Sequence, residues 1–449
     1  MASHVKSMTE GKPSSLIFSF AMSMTAGNIF QQLYTVVDTM IVGKKLGVTA
    51  LAAIGASDWI NWMMLGMIQG LTQGFGIMMA QQFGANQPKA LRKAVGNSAL
   101  LSLIASILLV LIGQIGLLPL LHILQTPDTI IVGTLLYTRI MFMGIPIVML
   151  YNFLACILRS LGDAKTPLYA MIIASIFNII LDSLFVLVFG WGIAGAAIAT
   201  LIAQLISSMF CIYHIRKIEI LKFERNDFQM KRKLARHLLY LGSPMAFQNG
   251  IIAIGGMIVQ SVVNQFGVIF IAGFTATNKL YGLLEIAAIS YGYSVVTYMG
   301  QNLGAKKIKR IKEGMRAALI IAVITSIAIA IIMLVFGKLI LGLFISGTPK
   351  TVEETMHIAY LYLSIMSICL PILYILHVVR SAIQGLGNTV LPMISGFVEF
   401  AMRTLVAIFL PLLVGQIGIF FAEIAAWAGA DVVLMISYLI VIRKLPKET

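Results

Sequence analysis

Apolar residues run along this chain in long stretches, separated by short clusters of Gly, Pro, Lys and Arg. A helix rises 1.5 Å per residue, so about 20 apolar residues cross the hydrocarbon of a bilayer. The pattern predicts helical spans over 14–43, 50–81, 90–118, 128–158, 167–189 and 193–215. After a polar, basic stretch it predicts six more, over 236–265, 270–300, 314–345, 353–382, 392–412 and 416–442.

The two sets of six repeat. AQQFGA at 80–85 recurs as GQNLGA at 300–305, each at the end of a span, and Gly47 matches Gly267 at the same offset. Farther on, Tyr137, Pro146, Gly162 and Pro167 match Tyr362, Pro371, Gly387 and Pro392. Six spans per half give both halves the same orientation, which makes this a parallel repeat about an axis normal to the membrane. The expected fold is an all-α membrane protein: twelve transmembrane helices in two six-helix bundles, around a cavity and able to rock. The expected divisions are a tail at 1–13, a first lobe at 14–215, a basic linker at 216–235, a second lobe at 236–442 and a tail at 443–449. Pro167 and Pro392 are each expected to begin a helix, where a missing N–H costs nothing.

Composition agrees. The 449 residues are 59% hydrophobic and 11% charged, against about 25% charged for soluble domains. The net charge of +15 does not point to nucleic acid, because no binding motif accompanies it. Its Lys and Arg cluster in short loops on one side of the predicted topology, as the positive-inside rule requires. The other side holds Lys44, Lys45, Lys279, Lys338 and Lys350, and Arg139 and Arg403 fall within spans. Both termini are therefore expected in the cytoplasm, in a cell inner membrane. Cys156, Cys211 and Cys369 lie in apolar segments without metal-ligand spacing and read as packing residues. The first apolar run is too long for a signal-peptide core and is expected to be retained.

Asp38 and Asp182 change the picture. A carboxylate at the bilayer centre costs roughly 3 kcal/mol on the mildest scale. The repeat places Ile258 opposite Asp38 and Ala407 opposite Asp182, so the framework does not demand them. A carboxylate taken out of water favours its protonated form, and it also suits a cation site among other oxygens. Both properties point to ion-coupled transport. Tyr34 and Asp38 are four apart and share a helix face, as do Asn178 and Asp182; Asn152 lies in the fourth span. The competing reading is that Asp38 caps backbone groups or pairs with a base, but no Lys or Arg lies at mid-depth in the first half.

The second half carries other charges. Glu399 and Arg403 are four apart and read most simply as a structural ion pair. Glu285 and Asp431 lack an obvious local partner and are candidates to line a cavity. His377 takes the place of Asn152 in the repeat and reads as a satisfied polar group. Met63, Met64, Met67, Met141 and Met143 would suit flat ligands, although most of the methionines read as core or lipid-facing. Gly66, Gly70 and Gly74 form steps that permit close helix approach.

QQLYTVVDTMIVG at 31–43, AQQFGA with its echo, LRSLGDAKTP at 158–167 and FNIILD at 177–182 resemble the multidrug and toxic compound extrusion (MATE) family along essentially the whole chain. Asp38 with Asn178 and Asp182 looks most like its prokaryotic DinF-like branch. The resemblance implies a twelve-helix, V-shaped antiporter exporting organic cations against inward H+ or Na+. It implies that Tyr34, Asp38, Asn152, Asn178 and Asp182 converge in one polar pocket joined by Thr200 and Tyr137. Coupling would reside in the first lobe, with H+ favoured and Na+ at Asp38, Asn178 and Asp182 as the alternative. The family's first helix usually carries a proline near Ser23; here it is absent, and Gly27 is the residue that would permit a bend.

Two other classes compete with this reading. A flippase for lipid-linked or anionic substrates, from the same superfamily, would want more positive charge inside. A membrane enzyme would want paired aspartates in a loop or a nucleophile with its base, and ATP-driven transport a Walker A loop; the sequence contains none of these. The expectation is a non-enzymatic carrier without a cofactor, acting as a monomer on small molecules among membrane lipids.

Overall fold

The computed structural model describes residues 5–124, 126–345 and 348–445, so the expected tail at 443–449 lies mostly outside the described residues. A long helix runs from Pro13 to Gly84, broken at Gly47, whose φ of 83° and ψ of −177° are not helical. It therefore comprises α1 (residues 13–46) and α2 (Thr49–Gly84). Then come α3 (Pro88–Ile123), α4 (Asp128–Met143 and Ile145–Ser160), α5 (Lys165–Val188) and α6 (Gly192–Ile215). The second half holds α7 (Arg232–Val263), α8 (Val268–Gly304), α9 (Ile308–Leu341), α10 (Pro349–Ile368 and Leu370–Gly385), α11 (Val390–Val414) and α12 (Gln416–Arg443).

Among the described residues nine of these helices are long and apolar enough to cross a membrane, and two bent pairs raise the number to eleven. The remaining helix, α1, is more polar because Asn28, Gln31, Gln32 and Asp38 interrupt its apolar run. The architecture is the twelve-helix membrane fold.

The repeat recurs in the backbone. Among the described residues Asn86 (φ 54°) and Lys306 (φ 57°) are the non-glycine residues in the left-handed region, and each follows the repeated hexapeptide by one residue. Such a residue ends a helix by turning its last carbonyls toward new donors. Gly47 and Gly267 have φ of 83° and 92°, and Gly162 and Gly387 have 79° and 86°. A side chain at these positions would be strained. Both α4 and α10 bend by 48°, at the equivalent residues Gly144 and Cys369. The cause is Pro146 and Pro371, which lack the N–H that would continue the ladder and sit in the first turn of the second segment. Sequence periodicity alone reads each as one straight span.

The starts of α5 and α11 match too. Asp163 accepts from the N–H groups of Lys165 and Thr166 at 3.0 and 2.9 Å, and Asn388 accepts from Leu391 N–H at 3.1 Å. Pro167 and Pro392 fall within the first turn of their helices.

The chain forms two compact units. Unit 1 holds Met1–Ser7 and Ser23–Ala246; unit 2 holds Met8–Met22 and Phe247–Thr449. The boundaries thus fall inside α1 and α7, at nearly equivalent positions of the repeat, whereas the loops at 13 and 216–235 were the expected divisions. Helix packing explains the shift. In unit 1 a Cβ added at Gly74 would stand 2.3 Å from the Gly242 Cα, and one at Gly70 2.6 Å from the Met245 backbone. The start of α7 therefore lies directly on α2, an approach only glycine allows. In unit 2, Ser294 donates to the Ile17 carbonyl at 2.9 Å, and Met8 N–H donates to Gln301 Oε1 at 2.7 Å. The basic stretch is folded into unit 1. Buried Asp227 binds Arg92 Nε at 3.2 Å, and Asn97 bridges Gln229 and Lys231.

Candidate functional site

The first polar centre lies in unit 1, on α1, α5 and α6. Asp38, Asn178, Asp182 and Thr200 are all buried there. Asn178 and Asp182 are one turn apart on α5, and the Asn178 amide donates to Thr200 Oγ1 at 3.4 Å. Thr200 in turn donates to the Ala196 carbonyl at 3.1 Å, so its hydroxyl is fixed by its own helix. The regular α-helix ends at Asp182, and residues Ser183–Val188 continue as a π-helix. Such wide turns shift the register of the side chains that follow and are frequent at functional positions.

The oxygens of this centre are underused. Asp38 Oδ1, Asn178 Oδ1 and both carboxylate oxygens of Asp182 are buried without a hydrogen-bond partner. Neither aspartate forms an ion pair among the described residues, and each lies within range of the other's charge. Buried polar atoms in folded proteins are normally satisfied, and two adjacent carboxylates are stable together only when a proton or cation offsets their charge. The arrangement is a cation-accepting one. Tyr34 and Tyr137 lie within range of the charges on Asp38 and Asp182, and Tyr137 is packed with Val42, Ala50 and Ile54. Asn152 is buried but donates to Val148 of its own helix at 2.8 Å, so its amide is already engaged. Among the described residues no three His, Cys, Asp or Glu side chains group as a metal site. Cys156 donates to the Thr72 carbonyl, which fits a packing role.

The second centre is in unit 2. Glu399 receives Arg380 at 2.5 Å and Arg403 at 3.2 Å. Arg403 also reaches Glu423 at 2.6 Å and the Ile252 carbonyl at 3.1 Å. The pair anticipated from the four-residue spacing is thus one link of a four-residue network. Arg380, counted from sequence with the inner loops, is buried within α10. Glu285 faces His377 at 3.5 Å, so it has a partner that spacing did not reveal. Asp431 keeps a buried Oδ1 without one. Tyr281 stacks on Trp427 with centroids 5.8 Å apart.

Sequence reasoning passed over Asp58. It lies on α2, exposed on unit 1, and close enough for its charge to act on Asp38 and Tyr137. The signal was available: Asp38 precedes the Gly47 turn by about as many residues as Asp58 follows it.

A sequence model of the MatE family matches residues 23–184 and again 244–426. The chain belongs to the MatE family. The two matched segments are the two halves of the repeat. This MATE protein is 29% identical over 354 residues to Probable multidrug resistance protein YoeA of Bacillus subtilis, covering 77% of this chain and 75% of that one. It is 31% identical over 338 residues to Probable multidrug resistance protein YpnP of the same organism, covering 75% and 76%. Among solved structures, an outward-facing multidrug resistance MATE transporter of the MOP superfamily superposes with a TM-score of 0.91 at 21% identity, covering 98% of each chain. Family and fold make this chain a multi-pass membrane transporter of the multidrug-efflux class.

Proposed function

We propose that this MATE protein is a secondary antiporter that exports cationic amphipathic compounds in exchange for inward protons, which bind in unit 1 at Asp38 and Asp182 with Asn178 beside them. It works without a cofactor, as a monomer in a cell inner membrane with both termini cytoplasmic, by rocking of two lobes. The observation that carries this reading is the set of orphaned oxygens on Asp38, Asn178 and Asp182. A proton or cation delivered there satisfies them and removes the repulsion between the carboxylates. Its departure restores both costs, so occupancy biases the conformational equilibrium by its differential affinity for the two states. Tyr34, Tyr137 and Thr200 line the same centre, while Glu285 and Asp431 supply polar surface in unit 2.

Export of an anionic or lipid-linked substrate would call for uncompensated positive charge. Arg380 and Arg403 are buried, but Glu399 and Glu423 match them in number and lie in contact. That balance favours the cationic reading.

The test is efflux from proteoliposomes with a pH gradient or a Na+ gradient imposed separately. A pH gradient alone should drive export. Asp38→Asn and Asp182→Asn should each reduce it at least tenfold at equal protein level, and the double variant should add little because the groups share one site. Export driven only by Na+ would assign these oxygens to Na+. Normal export by both single variants would place coupling elsewhere.

A further inference from the structure

The basic stretch before α7 is held more firmly than its charge alone requires. A loop that only obeys the positive-inside rule acts through its Lys and Arg count and needs no fixed fold. This one is fixed. Buried Asp227 accepts from Arg92 Nε at 3.2 Å and from the Glu224 N–H at 2.9 Å. Asn97 on α3, also buried, donates to the Gln229 carbonyl at 3.1 Å and accepts from the Lys231 N–H at 2.8 Å. A Cβ added at Gly96 would collide with the Asp227 carbonyl oxygen, so glycine is what lets the stretch lie on α3. The backbone on both sides of Phe228 and Met230 is therefore held to unit 1.

Two kinds of exposed side chain share this surface. Lys231, Arg232, Lys233 and Arg236 are exposed, and among the described residues none of them forms an ion pair. The nearby acids do not offset them: Glu224 and Asp227 both lie on Arg92, at 3.8 and 3.2 Å, and Glu219 pairs with Lys222. Beside the cations Phe228, Met230, Leu239 and Tyr240 are exposed apolar or aromatic side chains. At 3.6 residues per turn, Arg232, Lys233, Arg236, Leu239 and Tyr240 fall within roughly a third of the circumference of α7, whereas Leu238 and Leu241 on the far side are buried. Leu239 and Tyr240 lie roughly 10 and 12 Å beyond Arg232 along the axis, in a helix apolar enough to cross a membrane. The face thus runs from uncompensated cations, past a tyrosine of the kind that settles at a membrane interface, into the hydrocarbon. A soluble polyanion would leave the apolar side chains uncovered, and a zwitterionic headgroup would leave the charge unmatched. An anionic phospholipid answers both.

We infer that the start of α7, with the end of the basic stretch, is a binding site for an anionic phospholipid. Arg232 and Arg236 hold the headgroup phosphate, whose oxygens suit the guanidinium fork, and Lys231 and Lys233 add to the attraction. Phe228 and Met230 enter the interfacial layer beside the headgroup, and an acyl chain lies along Leu239. The site belongs wholly to unit 1 and does not depend on the antiport reading. Because Asn97 and Asp227 tie the same stretch to α3, a lipid seated there braces the junction of α3 and α7.

The probes are dioleoylphosphatidylglycerol and dioleoylphosphatidylcholine, which share acyl chains and differ in net charge. Their binding to the purified full chain in one detergent is compared by native mass spectrometry, with thermal stability measured alongside. The parent should retain the glycerol lipid over the choline lipid. Arg232→Gln with Arg236→Gln should weaken the glycerol lipid about thirtyfold, or about 2 kcal/mol, at about one for each cation near anionic lipid, and should leave the choline lipid unchanged. Phe228→Ser with Met230→Ser should weaken the glycerol lipid although every charge remains. Lys312→Gln with Arg316→Gln removes the same charge from exposed positions of unit 2 and should bind like the parent. Bound glycerol lipid should raise the melting temperature of the parent and not that of the Arg232, Arg236 variant. Parental retention of the glycerol lipid by either unit 1 variant, or equal loss in the unit 2 variant, overturns the inference. Inorganic phosphate or soluble polyglutamate in excess should not displace the lipid; displacement by the first would make this a free-phosphate site, by the second a protein-docking surface, and either overturns it.

Discussion

Replacing Glu399 with Gln keeps its shape and removes its charge, and the structure says what should follow. Glu399 is 4% exposed and is the ion-pair partner of Arg380 among the described residues. Arg403 would retain Glu423 and the Ile252 carbonyl, but Arg380 would be left as a buried cation. Leaving one charge uncompensated costs about 3–5 kcal/mol, and the Gln oxygen, still an acceptor, puts the variant at about 3 kcal/mol. An unfolding entropy of about 2.1 cal/mol/K per residue over 449 residues converts this to a drop of about 3 °C in Tm. The assay is fluorescence-detected size-exclusion after heating in one detergent, with efflux normalised to folded protein. A paired variant tests the cause: Arg380→Met with Glu399→Leu removes both charges and should melt above Glu399→Gln, because buried pairs are replaceable by apolar side chains. A single variant within 1 °C of the parent, or a double variant melting lower still, refutes the reasoning.

Two other outcomes follow. A cysteine at Asn226 should be labelled only from the cytoplasmic side and one at Lys350 only from outside; labelling of both from one side would undo the twelve-span topology. Gly74→Val puts carbon where the Gly242 backbone already stands, so it should lower thermal stability by about 3 kcal/mol or abolish folding, whereas Gly55→Ala, in open space, should melt like the parent.

Much of the fold was legible because its determinants are local. Proline at 146 and 371 and glycine at 47, 162, 267 and 387 act on their own backbone, so a repeat in sequence became a repeat in φ. The bends in α4 and α10 were missed because apolar periodicity carries no record of direction. The site was legible where rarity marked it: Asp38 and Asp182 are the only charged residues of the spans 14–43 and 167–189. Asp58 was passed over: Ser57 and Asn61 give its stretch other polar residues, and polar Asn278 stands at the same repeat position, so it did not stand out. Arg380 lies near the end of its apolar run, where a cation normally belongs to a loop. Only its three-dimensional approach to Glu399, from a helix 19 positions away in sequence, reveals it as buried.

The crossing of unit boundaries within α1 and α7 bears on synthesis. Unit 1 needs residues up to Ala246, so the first six helices leave the ribosome without the segment that packs on Gly70 and Gly74. That unit finishes folding only when the second half has begun. A chain cut at the basic stretch should therefore leave two incomplete bundles rather than two free-standing ones.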